Sequence, residues 1–219
     1  SLMAAPSNLE RLYDFQHGDG GWGWWVNSRS NSSTTAYVLL ALYEVQQQGF
    51  TVPEQTLQRA IDFAQANLVT IRPSMSTWQA NQQTFILYVL ARTGNADIAR
   101  TEVIYRNRDD ISLYAKAMLA EAYSYIDPLE TTRSDTLLNE LVNASVVSAA
   151  GIHWEEDYND YWNWNTDTRT TALVLNAFVR LNPESDLIPN IVRYLMIQRR
   201  ADHWETSQET AWSVMALTN

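Results

Sequence analysis

Gln16-His17-Gly18-Asp19-Gly20-Gly21-Trp22-Gly23-Trp24-Trp25 is a glycine and tryptophan loop, and it runs on into the apolar segment Thr35-Ala36-Tyr37-Val38-Leu39-Leu40-Ala41-Leu42. The same order returns twice. His153-Trp154 leads through Tyr161-Trp162-Asn163-Trp164 into Thr171-Ala172-Leu173-Val174-Leu175-Asn176-Ala177-Phe178. His203-Trp204 leads through Thr206-Ser207-Gln208-Glu209 into Thr210-Ala211-Trp212-Ser213-Val214-Met215-Ala216-Leu217. A repeat of uneven period, built from a polar-aromatic loop and then a helix, is the mark of a ring of helical hairpins.

Outward from these units, hydrophobic spacing of period 3.6 dominates the chain. It predicts helices near 6–16, 34–48, 54–68, 80–93, 95–106, 111–126, 131–148, 168–181, 186–199 and 208–218. Gly49 with Pro53, Gly94, Pro128 and Asn182-Pro183 punctuate them. Strand signals are nearly absent, and Val146-Val147 and Val69-Thr70-Ile71 are short and lack alternation.

Two kinds of helix alternate. Segments 34–43, 83–91, 113–123, 170–179 and 209–217 are apolar nearly all round, whereas Leu57, Ile61, Phe63, Ala64 and Leu68 form one stripe against Gln58, Arg59, Asp62 and Gln65. Ile188, Ile191, Val192 and Leu195 do the same against Asn190 and Arg193. A helix apolar all round is buried and an amphipathic one faces water. The expectation is an all-α fold, a single α/α toroid over residues 1–219 with an inner and an outer ring. Inner helices then run parallel, and the loops that precede them open at one end. Those loops carry Trp22, Trp24, Trp25, Trp78, Trp154, Trp162, Trp164 and Trp204, leaving Trp212 inside a helix. Inner-helix N-termini bring partial positive charge to that mouth, which Glu155, Glu156, Asp157 and Asp160 offset. Taken singly, each Trp reads as a packing residue whose N–H is satisfied locally. Taken together, Trp22, Trp24, Trp25, Trp154, Glu155, Glu156, Trp162, Trp164 and Trp204 form the candidate mouth.

Composition narrows the function. A net charge of −10 repels a phosphate backbone, and the basic clusters at Arg199-Arg200 and Arg100–Arg108 stand among acids, so no nucleic-acid partner is expected. No apolar run approaches the length of a membrane span. The chain has no Cys, which removes thiol chemistry and a Cys-containing zinc site from these residues. The spacing of His153, His203 and Glu155 gives no helical ligand pair, so neither metal nor cofactor is expected. Ser1-Leu2 ahead of Met3 reads as a cloning remnant, and with the abrupt stop at Asn219 it suggests part of a longer protein.

With the loop-helix units in place, the chain resembles the thioester-containing domain of the alpha-2-macroglobulin family, in particular its bacterial branch. The likeness rests on Gln16–Trp25 followed by Thr35-Ala36-Tyr37-Val38-Leu39, on Tyr114-Ala115-Lys116-Ala117-Met118-Leu119-Ala120, and on Val192-Arg193-Tyr194-Leu195 through Trp204 to Thr206-Ser207-Gln208-Glu209-Thr210-Ala211, in that order. Gly/Trp loops alone also occur in triterpene cyclases. What the resemblance implies is a non-enzymatic part in protease entrapment, or in covalent capture of other target proteins in host defence, in the periplasm or outside the cell. In thioester-bearing members a Cys and a Gln within Gly-Cys-x-Glu-Gln form an internal thioester that acylates a target amine or hydroxyl. That motif is absent from these residues. Either it lies upstream of Ser1 or the protein works without one. The histidine that in some complement components directs the thioester to hydroxyls has no counterpart around Ser74 to Ala80, since His17, His153 and His203 lie elsewhere; amine targets are the expectation.

Rival readings come from the same fold. A triterpene cyclase needs an Asp-x-Asp-Asp run that does not occur, and Asp109-Asp110 lacks the rest. A glycoside hydrolase would draw on Trp154-Glu155-Glu156-Asp157-Tyr158-Asn159-Asp160-Tyr161-Trp162-Asn163-Trp164, which combines aromatic platforms with carboxylates. A non-catalytic binding module using the same mouth is the third class.

Overall fold

The structure is a computed structural model that describes residues 5–72 and 75–219, with the backbone alone for residues 5–8. Ser1-Leu2 and Ser74 lie outside the described residues. The fold is all-α. Its helices are α1 (Ala5–Asp14), α2 (Ser32–Gln47), α3 (Glu54–Ala66), α4 (Thr77–Arg92), α5 (Ile98–Arg106), α6 (Leu113–Ile126), α7 (Thr132–Asn143), α8 (Asp167–Leu181), α9 (Ile188–Gln198) and α10 (Ser207–Thr218). Strands β1 (Val146–Ser148) and β2 (Gly151–His153) pair antiparallel between α7 and α8.

The chain divides into two compact units, Ser1–Thr70 with Phe85–Asp97, and Ile71–Thr84 with Ile98–Asn219. In the first, α2 packs on α3, burying Leu39 and Leu42 from one helix and Ala60, Ile61 and Ala64 from the other. Tyr37 and Phe85 bring their ring centroids to 4.3 Å, and Arg92 reaches Glu44 at 2.6 Å.

The second unit shows why helix character alternates. Helices α6, α8 and α10 are neighbours in turn, while α7 packs on α6 and α8, and α9 packs on α8. The result is an inner layer backed by an outer one. Every residue from Thr170 to Phe178 of α8 is buried, and in α6 so are Tyr114, Ala115 and Ala117 to Tyr123. Outer helix α7 buries only Ser134, Leu137, Leu138 and Leu141, the 3–4 spacing of one stripe. Each fully buried leucine contributes about 1.5–3 kcal/mol of transfer free energy. Helix α10 departs from the expected envelope: it packs chiefly on α8, and Ala211 and Val214 stay exposed.

Several helix boundaries differ from the sequence reading by two residues or more, and two of them bear on the site. The helix expected over 131–148 ends at Asn143, and Val146–Ser148 turns into β1. Gly151 makes the hairpin possible: it adopts φ 131°, and a Cβ there would collide with the Asn190 carbonyl of α9. The helix expected from 80 starts at Thr77, because Ser76 lends both its N–H and its hydroxyl to the Gln79 side chain at 3.3 and 2.8 Å. Trp78 therefore stands in the first turn of α4 rather than in a loop, and Trp162 in a short 3-10 turn, Tyr161–Asn163.

Candidate functional site

The repeated loops share one fastening. Trp22 donates its backbone N–H to the Thr35 hydroxyl at 2.9 Å and its indole N–H to the Leu12 carbonyl at 2.8 Å. Trp154 does the same to Thr171 at 3.1 Å and Leu141 at 2.7 Å. Trp204 follows with Thr210 at 3.0 Å and Leu195 at 2.9 Å. In each unit the carbonyl belongs to the preceding helix, α1, α7 or α9, and the threonine to the first turns of the next, α2, α8 or α10. All three indoles are core residues, 3%, 0% and 3% exposed. A buried Trp must satisfy its N–H, and the end of the outer helix has carbonyls without partners inside that helix. The ring thus pegs an outer helix to the inner helix that follows, which explains why Thr-Ala recurs after each Trp.

Beyond the peg the loops diverge. In the second unit, the loop from Glu155 to Thr166 is tied down by buried carboxylates. Glu156 accepts from the backbone N–H groups of Leu113 and Tyr114 at 3.0 Å each, and from the Thr170 hydroxyl at 2.8 Å. It therefore caps α6 from outside while holding α8. Its own N–H donates to Asp167 at 3.0 Å. Burial pushes the Glu156 carboxyl above its ordinary value, against the lowering effect of the donors from Tyr114, Leu113 and Thr170. Asp160 is 1% exposed, and one of its oxygens accepts from Asn81, Tyr114 and Asn163, each at 2.8 Å. Asn81 is tied in turn to Ser112, the residue before α6, by a pair of 2.9 Å hydrogen bonds. Glu209 completes the series, accepting from the Thr166 hydroxyl at 2.6 Å and the Thr206 N–H at 3.1 Å, so it links the N-caps of α8 and α10. Within this unit the N-terminal ends of α4, α6, α8 and α10 consequently lie on one side.

Exposed aromatics crown that side. Tyr161, Trp162 and Trp164 are 77%, 70% and 45% exposed. Trp162 leans on Trp78 with centroids 5.6 Å apart, and Asn163 fixes the turn by donating to the Trp78 carbonyl at 2.9 Å. Glu155 is exposed and pairs with His153 at 3.0 Å, whose ring stacks on Tyr194 at 4.4 Å.

The loop of the first unit is held differently. Gln16 donates to the Gly20 and Thr56 carbonyls at 2.9 Å, and Arg59 donates to the His17 carbonyl at 2.6 Å. Asp19 accepts from the Gly21 N–H at 3.0 Å and the Ser30 hydroxyl at 2.8 Å. Desolvation pushes the Asp19 carboxyl upward, but those hydrogen bonds outweigh it and hold it below its ordinary value. Gly20 takes φ 91° under the Arg59 carbonyl, where a Cβ would collide. Trp24 and Trp25 project into solvent, 61% and 73% exposed.

Of the candidate mouth residues, then, Trp22, Trp154 and Trp204 are pegs in the core, Glu156 is a helix cap, and Trp24, Trp25, Glu155, Trp162 and Trp164 are exposed. Trp24 and Trp25 belong to the first unit and Trp162, Trp164, Glu155 and Glu156 to the second. The sequence reading did not single out Asn81 and quoted Tyr114 and Glu209 only within helix motifs, without their roles, because their partners Asp160 and Thr166 lie far along the chain; the capping box Thr206-x-x-Glu209 was the one local signal available. Among the described residues no group of three or more His, Asp or Glu side chains is placed to hold a metal, and no helix is long and apolar enough to cross a membrane.

No family model matches the chain. An alpha-2-macroglobulin of Thermotoga maritima is 22% identical over 209 residues, which are 95% of this chain and 11% of that protein. The native conformation of Escherichia coli alpha-2-macroglobulin superposes with a TM-score of 0.74 at 20% identity, covering 97% of this chain and 13% of that one. The same protein activated by porcine elastase gives 0.71 at 20% identity, over 95% and 18% of the two chains. A Salmonella alpha-2-macroglobulin reacted with methylamine gives 0.72 at 20% identity, over 93% and 13%. The chain spans about a tenth of the length of the curated relative it matches. In sequence over nearly its whole length, and in fold, this chain bears out its resemblance to the bacterial alpha-2-macroglobulin family, of whose members it corresponds to one helical part.

Proposed function

We propose that the chain is the thioester-domain-like part of a bacterial alpha-2-macroglobulin-like protein, working without turnover in the entrapment of proteases outside the cytoplasm. The observation that carries the reading is the Trp–Thr peg, repeated three times, with the first and last pegs falling in stretches on which the family resemblance rests. The relatives support it: the Escherichia coli protein is activated by porcine elastase, and the Salmonella protein reacts with methylamine, an amine. The reactive Cys and Gln would come from outside these residues, which contain no Cys. Trp24 and Trp25, exposed here, would cover that segment and keep out water, the competing nucleophile.

The test is made on the full-length protein. Trypsin mixed with it should lose activity on large protein substrates while keeping activity on a small peptide substrate, and a free thiol should appear. Trp24→Ala with Trp25→Ala should raise spontaneous thiol release. Retained activity on large substrates would overturn the entrapment reading, and unchanged thiol release would overturn the shielding one.

The hydrolase alternative is disfavoured by one observation: both Glu156 oxygens are engaged by the backbone of α6, so one of the two adjacent glutamates of that loop serves as a cap. A glycosidase rate lost in Glu155→Gln would restore that alternative.

A further inference from the structure

The exposed turn at the N-terminal side of the second unit has a chemistry that the capture reading leaves unused. Within a few residues, Tyr158, Tyr161, Trp162 and Trp164 are all exposed large aromatics. A cluster of this kind, left exposed, marks a contact surface. Its rings are not loose. Trp162 rests on Trp78, Asn163 bonds the Trp78 carbonyl, and Asn163 and Asn165 donate their backbone N–H groups to the Asp160 carbonyl at 3.2 and 3.1 Å. Trp164 adopts φ 50°, a left-handed conformation that a bulky residue takes only when its surroundings impose it.

The charge around the rings is of one sign. From Gly151 to Thr168 the chain carries Glu155, Glu156, Asp157, Asp160 and Asp167, and no Lys or Arg. Glu155 and Asp157 are exposed and precede the turn by a few residues in the chain. Below it, the second oxygen of buried Asp160 meets no hydrogen-bond partner among the described residues. The cation that follows in sequence, Arg169, is 1% exposed and lies 4.9 Å from the Tyr114 ring centroid, inside the unit. Aromatic faces attract ammonium and guanidinium groups, and a field of carboxylates concentrates them. The exposed aromatic pair of the first unit makes the contrast: residues 16–31 hold one Asp and one Arg, a balanced segment.

We propose that the aromatic-acidic turn Tyr158–Trp164 is a docking surface for a basic protein segment, seating lysine or arginine side chains on Trp162 and Tyr161, with the exposed carboxylates of Glu155 and Asp157 in the same loop. The site needs no thioester, so its test is separate from that of capture. A fluorescein-labelled octalysine peptide is titrated into the 219-residue chain at low salt and followed by anisotropy. Saturable binding that weakens with salt is expected. Trp162→Ala combined with Tyr161→Ala should weaken it about fivefold, with the helical circular dichroism unchanged. Trp24→Ala combined with Trp25→Ala should leave it as in the wild type. Absence of saturable binding would overturn the proposal. So would equal loss in both aromatic pairs, or loss confined to Glu155→Gln and Asp157→Asn with none in the ring variant, because binding would then follow general charge alone.

Discussion

The loop of residues 16–31 and the loop of residues 154–166 begin alike and finish with opposite chemistry. Both contain a buried Trp whose two N–H groups go to an outer-helix carbonyl and an inner-helix threonine. Both then put tryptophans into solvent. The first is held by neutral amides, by Arg59 and by an exposed Asp19; the second by carboxylates buried against helix N-termini. The comparison separates what the repeat requires from what it tolerates. The peg is required, because without it an inner and an outer helix lose their connection and two N–H groups are buried without partners. The rest of the loop needs only to satisfy its own backbone, and it does so by whatever side chains are in reach.

The comparison is broken most directly at the peg. Trp154→Ala should cost roughly 3–5 kcal/mol, since Trp154 is wholly buried. Trp22→Ala should cost a similar amount, the signature of a shared device. Urea unfolding of the two variants measures both; a loss below about 1 kcal/mol in either would show that the loops are not equivalent. Next in size is the threonine. Thr171→Val keeps the shape but removes the acceptor for the Trp154 N–H, and should cost about 1–3 kcal/mol. Thr210→Val, at a partly exposed position, should cost less. The ranking Thr171 above Thr210 is the quantity to check, by the same unfolding experiment.

Acid sharpens the difference between the loops. Glu156 has its folded-state pKa raised by burial. Its folded form therefore holds its proton more tightly than the unfolded chain, so stability falls as pH rises from the ordinary Glu value through the raised one. The stability of the wild type relative to Glu156→Gln should improve on going from neutral pH into that window. Asp19 behaves in the opposite sense, its pKa being held down despite desolvation. Its contribution is present above the ordinary Asp value and lost as pH falls through the lowered one. The wild type's advantage over Asp19→Asn should shrink on acidification. Thermal unfolding over pH 3–8, run on both variants, tests for the opposite slopes. Smallest of all should be the exposed rings: Trp25→Ala and Trp162→Ala are each expected within about 0.5 kcal/mol of the wild type, with any larger effect appearing only in binding or in the parent protein.

Much of this was legible in the chain. The recurrence of Trp followed by Thr-Ala gave away the loop-helix unit, and the alternation of Leu173–Phe178-like runs with striped helices such as Leu137-Leu138-Leu141 gave the two layers. What the sequence hid was pairing at a distance. Asn81 and Asp160 are 79 positions apart, and Leu113 and Glu156 are 43 apart. Nothing local says that an acid in an aromatic loop caps a helix so far back. The hairpin at Val146–His153 was hidden for a related reason: its strands are three residues each, and its turn depends on Gly151 passing the Asn190 carbonyl.

The sequence by itself determined most of the helices and the faces of all but α10, because period and apolar content act over a few turns of chain and need no distant partner. It also determined which tryptophans begin each loop. Only the tertiary structure decided which of them are pegs and which are surface, since Trp22 and Trp24 differ by two positions but by 3% against 61% exposure. The physical reason is that burial is set by what lies opposite, and what lies opposite Trp22 is the carbonyl end of another helix. The same holds for the carboxylates: their type was written in the chain, but their role as caps exists only once α6, α8 and α10 have brought their N-termini to one side.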